Sequence, residues 1–143
     1  MATFRIERLR WQHGQHDLSA IRQRVFIEEQ QVPEALEWDE HDADAQHLLA
    51  RDDGGQPIAC ARILADGTIG RMAVLASWRR HGVGRALLQA AIDYCAEQGW
   101  QEVRLSAQTH AIGFYQHAGF AVCSDIYLDA GIPHRDMKLR LST

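Results

Sequence analysis

Arg79-Arg80-His81-Gly82-Val83-Gly84-Arg85-Ala86 is the stretch on which the reading of this chain turns. An extended run, Thr68 to Leu75, leads into it, and a strongly periodic helix leaves it, Val83 to about Gln98. Glycine lacks a Cβ, so Gly82 and Gly84 let the backbone turn sharply and expose successive N–H groups. The first turn of the following helix adds unpaired N–H donors and the positive end of its dipole. Such an arrangement suits a phosphate or pyrophosphate. Arg79, Arg80 and Arg85 add positive charge. The plainer alternative is an ordinary turn with a solvated basic rim.

Downstream, Val83, Ala86, Leu87, Ala90, Ala91 and Tyr94 form one apolar stripe at helical spacing, with Gly99 where a C-cap glycine belongs. Glu102 to Ala107 reads as a strand, Thr109 to about His117 as a short helix, and Phe120 to Cys123 as a strand. Ile126 to Gly131 is a strand or a loop that Pro133 breaks, and Arg135 to Leu141 is the last strand. Upstream, Gln46 to Asp52 and Gln56 to Ala65 form a hairpin through Asp53-Gly54-Gly55, and Asp66-Gly67 turns the chain into Thr68 to Leu75. Three consecutive antiparallel strands therefore deliver the chain to the glycine loop. Thr3 to Arg10 reads as the first strand and His13-Gly14-Gln15-His16 as a turn. A helix capped by Asp17 or Ser19 then runs to about Gln30, and Pro33 ends it.

A length of 143 residues suits a single domain spanning 1–143, large enough for a substantial core. The formal charge of −4 argues against non-specific nucleic-acid binding, and no apolar run is long enough to span a membrane. Cys60, Cys95 and Cys123 are odd in number and widely spaced, and read as small buried hydrophobes of a reducing compartment, so the cytoplasm is the expected location. No metal site is expected: His13 and His16 have no third ligand nearby. Between Val25 and Ala50 stand eight carboxylates and no lysine or arginine. They are either a solvated loop or an electrostatic funnel for a cationic substrate, with Trp38 and Phe26 as apolar walls.

Spacing narrows the ligand. A nucleoside-triphosphate loop needs Gly-Lys-Ser/Thr, and Gly84-Arg85-Ala86 provides neither the lysine nor the hydroxyl. A dinucleotide fingerprint needs a third small residue where Leu87 stands. What remains is Arg-x-x-Gly-x-Gly, at Arg79, Gly82 and Gly84, between an antiparallel strand and a long helix. This resembles the acyl-CoA loop of the GNAT superfamily of N-acyltransferases. A second motif, Gln108-x-x-Ala111-x-x-Phe114-Tyr115-x-x-x-Gly119-Phe120, is similar to the family's closing segment, and the likeness covers nearly the whole chain. Arg24 to Gln30 and Gly131 to Met137 further resemble the ElaA-like subgroup. Ala76 and Arg80 depart from the commoner loop, where proline and glycine are frequent.

The resemblance implies an α+β fold, three-layer α/β/α, with a mixed, mostly antiparallel central sheet and flanking helices. It also implies acetyl transfer from acetyl-CoA to a primary amine by direct attack. Arg79 and the loop around Arg80, His81, Gly82, Val83, Gly84 and Arg85 would hold the pyrophosphate, Met72, Ala73 and Val74 the pantetheine arm, and Gln108 would also touch the cofactor. Tyr115 occupies the family's general-acid position; a packed aromatic is the alternative. Glu28, Glu29 and His134 are candidate bases or substrate contacts, and water relayed to bulk is a further option. A non-catalytic acyl-CoA-binding sensor and a protein N-terminal or lysine acetyltransferase stay open, as do homodimerisation and use of a longer acyl-CoA.

Overall fold

The computed structural model describes residues 3–141. Eight strands share one sheet: β1 (Phe4–Arg10), β2 (Gln46–Asp52), β3 (Pro57–Ile63), β4 (Thr68–Val74), β5 (Glu102–Gln108), β6 (Ala121–Val122), β7 (Tyr127–Asp129) and β8 (Ile132–Arg140). Their order is β1-β2-β3-β4-β5-β8-β6, with β7 pairing β8, and only the β4–β5 pair is parallel. Helix α1 (Trp11–Arg22) lies on one face and α3 (Val83–Glu97) on the other. Leu18, Ile21 and Val25 cover Leu49, Cys60 and Ala73 on the first face. On the second face the α3 stripe of Val83, Leu87, Leu88, Ala91 and Cys95 packs against Ile58, Ala61, Ile69 and Val103. Residues Ile58 to Ile63 of β3 are therefore buried without alternation, as a strand covered on both sides requires. The expected architecture is the observed one.

Two irregularities open the sheet where chemistry can occur. The β4–β5 pairing holds only at Thr68↔Arg104 and Ile69↔Leu105, after which the two strands separate. Within β4, Arg71 and Met72 stand opposite the single residue Ala61 of β3, a bulge, and Arg71 takes φ +48°. A bulge bends its strand and re-aims its side chains. The bulge falls where the pairing of β4 with β5 has already ended.

Several local expectations change. His13-Gly14-Gln15-His16 is helical, and α1 begins at Trp11 instead of Asp17 or Ser19. Gly14 signals close packing here: a Cβ at this position would lie 2.1 Å from Leu9 Cδ1. Beyond Arg22 the helix widens into a π-helical segment, Gln23–Glu29, closed by a Gln30 N–H to Val25 carbonyl bond of 3.1 Å. Such widening is uncommon and tends to occur at functional sites. Short helices at Glu34–Glu37 (α2) and Glu40–Ala43 follow, which no periodicity signalled. Ile112–His117 forms α4 after a one-turn 3₁₀ segment at Thr109–Ala111. Pro133 does not break the chain but lies within β8, one residue beyond the last pair with β5 at His134 and opposite Leu128 of the short β7. Cys60 and Cys95 are buried, their thiols pushed up by burial to about 12 and about 11, whereas Cys123 is exposed, contrary to expectation.

Candidate active site

Where β4 and β5 part, a cleft of about 400 Å³ forms, and Tyr115, His134, Gln108 and Met72 all line it. Tyr115 comes from α4, its ring edge-on to Phe114 at 5.1 Å and to Phe120 at 6.1 Å. Burial raises its phenol above the ordinary value, so the hydroxyl stays protonated. His134, 8% exposed, stands on β8 directly opposite Gln108. Its Nδ1 lies 2.6 Å from the Ile132 carbonyl, and a carbonyl only accepts, so Nδ1 carries the proton. In the neutral ring Nε2 is then left with its lone pair. The Tyr127 ring stacks on the imidazole at 6.1 Å, while its hydroxyl donates to Asp136 at 2.5 Å and shares a hydrogen bond with Ser106. The imidazole is held in place from two sides.

Gln108 links the two sides of the cleft. Its Nε2 donates to Gln30 Oε1 at 2.9 Å, and His110 Nε2 donates to its Oε1 at 2.7 Å. Gln30 reaches this position at the end of the π-helical segment. It had been visible only as part of the Arg24 to Gln30 stretch.

The glycine loop lies at the N-terminus of α3, outside the cleft lining. Gly82 takes φ +82° as the residue before the helix, the left-handed region that glycine enters without strain. Among the described residues no backbone carbonyl takes the N–H groups of His81 to Arg85. Arg80 and Arg85 are exposed and have no ion-pair partner among the described residues. Arg79 is engaged instead: both of its terminal nitrogens bond Glu29 at 2.7 Å, and its Nε donates to the Val74 carbonyl at 3.0 Å. That hydrogen-bonded guanidinium holds the Glu29 carboxyl below its ordinary range, which makes it a weak proton acceptor. Neither Glu28 nor Glu29 lines the cleft, and Glu28 is exposed. Ala73 and Val74 pair with Cys60 and Ala59 on their β3 side.

The acidic run is neither a solvated loop nor a funnel throughout. Glu37 and Asp42 are 3% and 4% exposed. Arg22 Nε bonds Glu37 at 2.8 Å and Arg22 Nη1 bonds Asp42 at 2.7 Å, with Trp11 and Trp38 over the guanidinium. Arg62 pairs with Asp39 and Asp42, and Arg71 with Glu37 and Asp39. Burial alone would lower the Arg22 pKa; the bonds from Asp42 and Glu37 outweigh it and keep the guanidinium charged. The three arginines come from α1, β3 and β4, so nothing near the carboxylates in sequence announced them. Glu28, Glu34, Glu40 and Asp44 are exposed.

The chain and its architecture have counterparts among known proteins. Residues 12–141 match the model of the acetyltransferase (GNAT) domain. The chain is 38% identical to the uncharacterized N-acetyltransferase YjcF of Bacillus subtilis, over 85% of this chain and 89% of that protein. It is 33% identical to protein ElaA of Escherichia coli, over 84% and 83%. The crystal structure of ElaA superposes with a TM-score of 0.85 at 29% identity, covering 96% of this chain and 99% of the other. An acyl-CoA N-acyltransferase from Pseudomonas aeruginosa superposes with a TM-score of 0.81 at 31% identity, over 97% and 99%. Among the described residues no helix is long and apolar enough to cross a membrane. Sequence and architecture agree, and the chain belongs to the GNAT acetyltransferase family, within its ElaA-like subgroup.

Proposed function

We propose that this protein transfers an acetyl group from acetyl-CoA to the nitrogen of a small primary amine by direct attack, with Tyr115 as general acid and His134 as general base. The observation that carries this reading is the pairing of a protonated, desolvated phenol and an imidazole with a free Nε2 on the walls of one cleft. Tyr115 and His134 offer the two proton transfers that the reaction requires. His134 Nε2 accepts a proton from the attacking amine, and Tyr115 Oη gives one to the sulfur as the carbon–sulfur bond breaks. One proton is gained and one released, so the protein returns to its starting state through solvent.

The residues present fit an acyl-CoA donor. The unpaired N–H groups of His81 to Arg85 and the dipole of α3 suit its pyrophosphate, with Arg80 and Arg85 beside them. The β5-facing edge of β4 beyond Ile69 is unpaired, and Met72, Ala73 and Val74 there suit the amide-bearing arm in the manner of an added strand. Gln108, the last residue of β5 and part of the cleft lining, is already oriented by Gln30 and His110. Release of free CoA from acetyl-CoA in the presence of a panel of primary amines tests the reading. Turnover with at least one amine is expected, lowered about 10²–10⁴-fold in Tyr115→Phe with CoA affinity intact. Wild-type turnover in that variant would transfer the acid role to another group.

A further inference from the structure

One wall of the cleft is formed by Arg62, Arg71 and Glu37. Arg62 is 6% exposed; its Nη1 bonds Asp39 at 2.7 Å and Asp42 at 3.1 Å. Its buried Nε has no hydrogen-bond partner, and among the described residues its Nη2 has none either. Arg71, projected from the bulge, donates through Nε and Nη2 to the Glu37 carbonyl and through Nη2 to Asp39 at 3.2 Å, which leaves Nη1 without a partner among the described residues. A buried guanidinium N–H without an acceptor is costly, and folded proteins rarely leave one. The Arg62 Nε is sealed in the interior, whereas Arg62 Nη2 and Arg71 Nη1 are not, and these two are the free donors that the cluster can offer a ligand in the cleft.

Building on the acetyl-transfer reading, we infer that these two free donors take a carboxylate of the substrate, so that the amine acetylated here is an amino-acid-type molecule held by Arg62 and Arg71. Charge selects this group over a phosphate. Arg22, Arg62 and Arg71 already face Glu37, Asp39 and Asp42, three against three. A singly charged planar anion adds the least excess negative charge and matches the fork of a guanidinium edge. The same balance removes the attraction for a dication that unpaired carboxylates would exert. Phe26, Val32, Leu36 and Ile132 also line the cleft, among polar residues that include Asp129, and offer an apolar surface to a side chain of the acceptor. The volume of about 400 Å³ suits a small molecule, not a folded protein surface.

The test uses a product pair that has no titratable amine: N-acetylleucine and N-acetylleucinamide, titrated by calorimetry into CoA-saturated protein. N-acetylleucine is expected to bind at least about tenfold more tightly, the scale of a charge-assisted hydrogen bond. The preference should fall to near unity in Arg71→Gln and in Arg62→Gln. Should Arg62→Gln fail to fold, the half-buried Arg71 position carries the comparison alone. Equal affinities, no binding of either compound, or a preference that survives Arg71→Gln would overturn the inference. The two readings fail separately. Release of CoA with amines irrespective of a carboxylate refutes the anion site and leaves the transferase standing. Carboxylate-dependent binding with no CoA release from any amine does the reverse.

Discussion

At the scale of single residues, the cleft sets the protonation of its side chains by burial and by carbonyl contact. Tyr115 is desolvated, and its phenol titrates above its usual range near 10. A raised acid stays protonated to higher pH, so the alkaline limb of turnover due to Tyr115 should lie above about pH 10. A limb in the pH profile at neutral pH that vanishes in Tyr115→Phe would contradict this. His134 is tied through Nδ1 to Ile132, and Gln in its place would keep bulk and polarity without a proton-accepting ring nitrogen. His134→Gln should therefore lower kcat by about 10²-fold or more while leaving acetyl-CoA affinity unchanged. Equal losses in binding and turnover would reduce His134 to a structural role.

At the scale of elements, the π-helical segment and the glycine loop are joined through Arg79 and Glu29. Both side chains are well exposed, 39% and 43%, so the pair contributes within about 0–1 kcal/mol and less at high salt. The Glu29 pKa is depressed, so that stability is present above the ordinary carboxylate range and fades as pH falls through the lowered value. Glu29→Gln should cost no more than about 1 kcal/mol and free Arg79 beside the loop, which should raise the affinity for CoA. An affinity unchanged in calorimetry would show Arg79 to be a strap alone. Gly82 makes a sharper case. Nothing lies within 4 Å of a Cβ built there, so its φ of +82° is the constraint. Gly82→Val should cost about 1–2 kcal/mol, leave the protein folded by circular dichroism, and abolish CoA binding. Wild-type affinity would remove the loop from the donor site.

At the scale of the whole molecule, the buried ion cluster ties α1, α2, β3 and β4 into the cleft wall. Removing Arg22 would strand Glu37 and Asp42 in a region from which water is excluded. Arg22→Ala should destabilise the fold by about 3–5 kcal/mol in urea denaturation, far more than any exposed charge. A loss under about 1 kcal/mol would mean that water enters and solvates the two carboxylates. The same cluster separates structural from exposed carboxylates within the acidic run. Glu37 is part of the buried network and Asp39 bonds two arginines, whereas Glu40 is exposed.

Periodicity and glycine placement were enough to read the sheet strands Gln46–Asp52 and Thr68–Val74, helix α3 and the glycine turn before it, because those signals are local. The stripe of α3 and the left-handed Gly82 each depend on residues a few positions apart, and the motif around Tyr115 lies within one short segment. The helix start at Trp11 escaped because Gly14, a poor helix former, is explained only by Leu9 of the neighbouring strand. Pro133 within β8 escaped for a similar reason, since its tolerance depends on where β5 ends. The acidic run is the largest gap between sequence and fold. Its local charge is negative, and only the sheet and α1 bring Arg22, Arg62 and Arg71 to it from residues far apart in the chain. The family and the glycine loop were thus legible in local chemistry. The charge balance of the cleft wall was decided by tertiary pairing, because charges meet in space and not along the chain.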